Sequence, residues 1–310
     1  MLSRIQRWQI AAAAAILCAA AAGALLWRNH AQRFDARGMI ECLPQDQSTH
    51  VYVDIAALRR GGFLDMIAGS KTAEDPDYQG FVRDTGFDYR TDLDAVAAAF
   101  FHDDVYFTAR GRFDWNKISA YASRQGGHCR NSVCEMPAST PGRNISLYPL
   151  RSDVLAMAVS KEPLAVTVIG PQQWRNPPQI STDPLWISAP AFVFSDVKNM
   201  PAGTHSFLSP LAQAQAVTFT AGPSPRAGDL ELRLSVTCGS APEAAALAKQ
   251  FIDATDLLRK MLARDHMTPN AGDLSGVLVA GTFQQQDKQV LGRWPMERRF
   301  LEALVSGKIE

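Results

Sequence analysis

Apolar and polar positions alternate most regularly at Val51-Tyr52-Val53-Asp54-Ile55, a period of two that predicts a strand after the turn-rich stretch "LPQDQSTH". "AALRRGGFLDMIAGS" has helical spacing broken at Gly61-Gly62, and "TAEDPDYQGFVRDTGFDY" predicts a second, partly helical segment. "DLDAVAAAFF" and "DVYFTARGRF" predict two strands joined by "HDD". In "DWNKISAYASRQGG" the residues Trp115, Ile118, Tyr121 and Ala122 share one helical face. Asp114 is placed to cap that helix, and Gly126-Gly127 to end it. A cysteine hairpin follows, then a hairpin over "NISLYPLRSDVLAMAVS" that turns at Arg151-Ser152-Asp153 and leads into "KEPLAVTVIG".

After the Pro-rich stretch Gly170–Pro184 the order recurs. "APAFVFSDVKNM" is similar to "STHVYVDIAALR", with Val193–Val197 lying over Val51–Ile55. "LAQAQAVTFTAG" takes the place of "LDAVAAAFF", and "GDLELRLSVTCGS" that of "DDVYFTARGRFD". The helix after Ser240 is longer than its counterpart; Ser240 and Glu243 form a capping box, and Ala244, Leu247, Ala248, Phe251, Ile252, Leu258 and Met261 make its apolar stripe. "SGVLVAGTFQQQDKQVLGRW" predicts a hairpin turning at Gln286-Asp287-Lys288, and "PMERRFLEALVSG" a last helix from Pro295 to Gly307. The expectation is an α+β fold: an N-terminal transmembrane helix, then two similar β-α-β-β-α-β-β-α units with mainly antiparallel sheets. The boundaries are 1–28 for the anchor, 29–42 for a juxtamembrane spacer, 43–170 for the first unit, 171–184 for a linker and 185–310 for the second unit.

The anchor comes from the one extreme segment. Ile10 to Trp27 is uncharged, contains Leu17, Leu25 and Leu26, and as a helix spans about 27 Å, close to the bilayer's hydrocarbon thickness. Trp8 and Trp27 bracket it, where indoles favour the membrane interface. The small residues Ala19–Ala24 keep a cleaved signal peptide as the alternative. Both readings export the body; the anchored one places it outside the cytoplasmic membrane on a single span. The chain's 310 residues, 46% hydrophobic and 20% charged, suit a globular body, and the net charge of zero gives no field to recruit nucleic acid.

Export changes how the cysteines read, because disulfides persist outside the cytoplasm. In "GGHCRNSVCEMP" a two-residue turn at Asn131-Ser132 makes Arg130 and Val133 the hydrogen-bonded pair. Cys129 and Cys134 then face each other with Cα atoms about 4.5 Å apart, within disulfide reach. A redox pair is more often Cys-x-x-Cys opening a helix, and zinc needs two further ligands. His128, next in sequence, points to the opposite face. Cys42 and Cys238 are candidates for a second pair, supported by parity and export alone, and the sequence leaves their pairing open.

His102, Asp103 and Asp104 are acid/base or metal-ligand types, but a turn between strands explains them as solvated residues. Asp54 and Asp196 end equivalent segments and are expected as helix caps more than as a carboxylate pair. His50, His128, His205 and His266 have no partners at ligand spacing, so no metal and no cofactor is expected. H-E-x-x-H, G-x-S-x-G, S-x-x-K and the P-loop are all absent. Asn144-Ile145-Ser146 matches a short glycosylation sequon.

The Ala-rich anchor, "LPQDQSTHVYVDIAALRRGGFLD", "TGFDYRTDLDA", "GRFDWNKISAYA" and "CRNSVCEMPASTPGRNISLYPL" together resemble an uncharacterised family of N-terminally anchored bacterial envelope proteins, over residues 40 to 160. The resemblance implies an envelope location and no activity. The expected role is a non-catalytic binding or scaffolding module, with the lipid bilayer and an envelope protein as partners. The alternative is an extracytoplasmic hydrolase using Asp103, Asp104 or Asp196.

Overall fold

The structure, a computed structural model, describes residues 34–45, 47–66, 75–172, 174, 180–195, 204–225 and 228–305. One compact unit runs from Ala36 to Glu310; Met1–Asp35 is a separate unit, described only at Phe34 and Asp35. Trp8, Ile10, Leu17, Leu25, Leu26 and Trp27, the residues of the expected anchor, lie outside the described residues. Among the described residues no helix is long and apolar enough to cross a membrane.

Helix α1 (Ala36–Glu41) precedes β1 (Thr49–Val53), α2 (Ile55–Arg60) and α3 (Pro76–Thr85). Strands β2 (Leu93–Phe101) and β3 (Asp104–Gly111) follow, then α4 (Trp115–Arg124) and β4 (His128–Arg130). Next come β5 (Val133–Pro137), β6 (Asn144–Arg151), β7 (Val154–Ser160), β8 (Leu185–Ala189), β9 (Ala216–Pro223) and β10 (Leu230–Thr237). The chain ends with α5 (Ala241–Arg264), α6 (Leu274–Val279), β11 (Thr282–Gln286), β12 (Gln289–Met296) and α7 (Arg298–Val305).

All twelve strands join one sheet in the order β11-β12-β10-β9-β8-β1-β2-β3-β7-β6-β5-β4. The pairs are antiparallel throughout, so the body is α+β with one large antiparallel sheet. Strands β1 and β8 pair in the middle, Val53 opposite Leu185 and His50 opposite Ser188. Outward from that pair, β1-β2-β3-β7-β6 and β8-β9-β10-β12-β11 have the same connectivity, with α4 and α5 in equivalent places. The two expected units are therefore halves of one continuous sheet. The hairpin β4–β5 extends the first half and has no counterpart in the second.

One face of the sheet carries helices along both halves. Strict alternation in β7 sends Leu155 and Met157 to that face, where they join Ile118 and Ala122 of α4 with Leu147. In the second half the row Val53, Leu185, Ala221, Leu232 and Trp294 crosses five strands in register. It meets α5 through Leu247 and Phe251. The opposite face is covered over the first half. There Ala97 and Ala99 of β2 and Ala156 and Ala158 of β7 are fully buried, and their small side chains let α1 rest close on β2. Thr108 on that face donates its hydroxyl to the Met39 carbonyl at 3.1 Å.

Caps fix the helix starts. Asp54, Asp114 and Ser240 each accept a first-turn backbone N–H, and Ser240 also donates to Glu243 at 2.9 Å. Gly126, at φ +80°, turns the chain out of α4 as its position predicts.

Three expected elements are corrected. The second unit's first strand is Leu185–Ala189; Ala191–Ser195 is a 3₁₀ turn, and Asp196 and Val197 lie outside the described residues. Pro190 lacks the N–H needed to extend the ladder, so the apolar run after it cannot continue the strand. "SGVLVA" does not open the hairpin: Leu274–Val279 is a helix capped by Asp273, whose Oδ1 accepts from Gly276 N at 3.2 Å. The last helix begins at Arg298, because β12 continues to Met296. Proline is tolerated at Pro295 because β11 reaches only to Arg293, leaving β12 with a single neighbour there.

Candidate functional site

The cysteine hairpin forms as the spacing predicts. Cys129 pairs with Cys134 in register and is bonded to it, with Cα atoms 4.0 Å apart. Asn131 and Ser132 hold φ of 50° and 66°, the positive values a two-residue hairpin turn needs. The bond staples β4 to β5, and Cys134 is fully buried in the core beneath α4. His128 lies across from Glu135, with Nε2 2.7 Å from Oε1, at the hairpin's exposed rim.

Cys42 and Cys238 do not pair; both are free and buried. Cys42 follows α1 on the opposite face of the sheet, whereas Cys238 belongs to the helix-side core with Val236 and Leu247, so the sheet stands between them. Burial, and then Glu41, pushes the Cys42 thiol up to about 11; burial also raises Cys238.

Asp103 sits in the β2–β3 turn, as polar residues usually do, and Asp104 opens β3. Lys161 Nζ is 3.6 Å from Asp103 and Arg143 is 3.5 Å from Asp104. Arg143 also donates to the Asp103 and Val159 carbonyls, tying the turn to β7. Asp196 lies outside the described residues. Among the described residues no three metal-ligating side chains converge. Asn144 of the sequon donates its amide to the Lys161 carbonyl at 3.1 Å, and Ser146 is buried, accepting from Val166 N.

Sequence patterns missed a cavity of about 180 Å³ on the helix side of the second half. Strands β10 and β12 supply Leu234, Trp294 and Met296 to its floor; α6 adds Val277 and Leu278, and α7 adds Phe300. Phe207 and Leu211, from the short helical turns before β9, close the buried part. Half-buried Thr204, Leu208, Phe219, Leu232 and Leu274 form the rim, and Thr204 carries the one hydroxyl among the described lining residues. Among the described residues no carboxylate, amine, imidazole or thiol lines the cavity. Phe207, Phe251, Phe283 and Trp294 stiffen the wall, Trp294 meeting Phe283 edge-on at 5.2 Å. The Trp294 indole N–H is buried without a hydrogen-bond partner and lies against Gly281.

No family model and no curated protein matches the chain. Two solved structures are similar to it, crystal forms III and IV of TP0453. Form III aligns over 87% of this chain and 98% of its own, with 11% identity and a TM-score of 0.47. Form IV aligns over 87% and 95%, with 11% identity and a TM-score of 0.44. At that distance neither informs the chemistry of the cavity.

Proposed function

We propose that the chain is a non-catalytic binding module of the bacterial envelope, held outside the cytoplasmic membrane on its N-terminal apolar segment, with the cavity of its second half as the ligand site. One observation carries the reading: the cavity wall offers burial to an apolar group, and among the described residues its lining is apolar apart from Thr204 and the indole of Trp294. The Cys129–Cys134 bond supports an oxidising compartment. The uncharged run Ile10–Trp27 supports attachment to a bilayer. The shared connectivity of the two halves supports duplication of an ancestral unit, of which the second half specialised around the cavity.

The test is a photo-crosslinking residue at rim position Leu208 in intact cells, with a second at Asp103 as control. A reproducible adduct at Leu208 and none at Asp103 is expected. Loss of a cellular activity in an Asp103→Asn, Asp104→Asn double variant that still folds would instead support a hydrolase built on the carboxylates.

A further inference from the structure

The cavity admits a narrow class of ligand. Its floor is apolar and buried, so a polar atom brought there finds no partner, a penalty that hydrocarbon avoids. The indole N–H of Trp294 does not change this, because a Cβ built on Gly281 would stand 2.6 Å from Trp294 Nε1 and the nitrogen is therefore packed against backbone.

Size narrows the class further. A volume of about 180 Å³ lies below that of pockets for drug-sized ligands, about 300–1,000 Å³. It is close to that of an engineered apolar cavity of about 150 Å³ that stays dry and takes benzene. Allowing each methylene about the 30 Å³ share of one liquid water, about six carbons fill it. The half-buried rim of Leu208, Phe219, Leu232 and Leu274 leaves the mouth open to a longer molecule. Thr204, the one hydroxyl among the described lining residues, stands at that rim, where a head group would remain.

We infer that the cavity takes the terminal six or so carbons of an unbranched alkyl chain, methyl end first, with the polar head at the rim. The inference rests on reading the cavity as the ligand site. A chain entering this way gains contact with each added methylene until the floor is reached, and nothing afterwards.

The experiment uses the full chain in lipid nanodiscs and a series of 1-alkanols from butanol to decanol, with the free aqueous concentration of each measured. The readout is the methyl chemical shifts of Leu234, Val277 and Leu278, which report occupancy whatever fraction of alkanol enters the lipid. Saturable shifts are expected, with affinity rising about fourfold per methylene up to about hexanol and flattening beyond. Leu274→Trp, filling the cavity from its half-buried rim, should weaken binding at least tenfold and leave methyl shifts of the first half unchanged. Absence of saturation, or affinity still climbing fourfold per carbon to decanol, would overturn the inference. Failure here with an adduct at Leu208 in cells would leave the binding module with a different ligand. Failure of both would remove both readings.

Discussion

Gly281 lies against the edge of Trp294 so closely that a Cβ at Gly281 would come within 2.6 Å of the indole nitrogen. The contact joins the C-terminal end of α6 to β12, and so sets the position of the cavity's largest side chain. Gly281→Ala must push the indole toward the cavity or displace α6. A loss of about 1–3 kcal/mol is expected, the usual cost of overpacking a filled site. Chemical denaturation measures it, and an unchanged midpoint would show that the wall is softer than its packing implies.

The edge hairpin makes a second, independent prediction. Replacing Cys129 and Cys134 by serine opens a small loop, for which chain entropy gives about 2 kcal/mol. The loss should be accompanied by faster hydrogen exchange in β4, β5 and the facing side of α4, because Cys134 belongs to the core beneath that helix. The cavity residues, on the other half of the sheet, should not respond.

Stability should depend on pH through His50. The ring is 4% exposed, 2.8 Å from the Pro44 carbonyl and 5.0 Å from the Trp174 ring centroid. Burial lowers its pKa below the ordinary 6.5, outweighing two backbone hydrogen bonds that favour the charged form. The unfolded chain therefore binds this proton more readily than the folded one. The stability tied to neutral His50 is whole above about pH 6.5 and declines as pH falls below that value, until the folded group also titrates. Unfolding measured from pH 8 to pH 5 should show the decline, and His50→Gln should flatten part of it.

Thiol chemistry tests the placement of the two free cysteines. Cys42 and Cys238 are 3% and 4% exposed, with thiols raised by burial, so both should resist alkylation in the native protein and react once it is unfolded. Peptide mapping after labelling under each condition reads this out. Rapid native labelling of Cys42 would place it outside the layer between α1 and the sheet.

Local signals made much of the fold legible before any coordinates. The period-two run at Val51, the hairpin turning at Arg151-Ser152-Asp153, the Asp114 and Ser240 caps and the Asn131-Ser132 turn all depend on neighbours within a few residues, and each formed. What was lost depended on distant partners. The run Ala191–Ser195 is as apolar as a strand, but Pro190 ends the ladder and Phe194 instead packs over Phe219. "LSGVLV" reads as a strand by composition, yet burial of Gly276 to Val279 on the helix side makes it α6. The pairing of Cys42 with Cys238 failed because parity says nothing about which face of a sheet a residue occupies. The cavity was invisible for a related reason: its wall comes from segments spread between Thr204 and Phe300, and a void has no residue of its own.

A crystal of the protein equilibrated with xenon under pressure tests whether the second half holds an apolar cavity able to take a ligand. Ordered xenon among Leu234, Val277, Leu278 and Trp294 is the predicted result, since apolar cavities of this size stay dry and take such atoms. Side chains collapsed into that space, with no xenon bound, would contradict it.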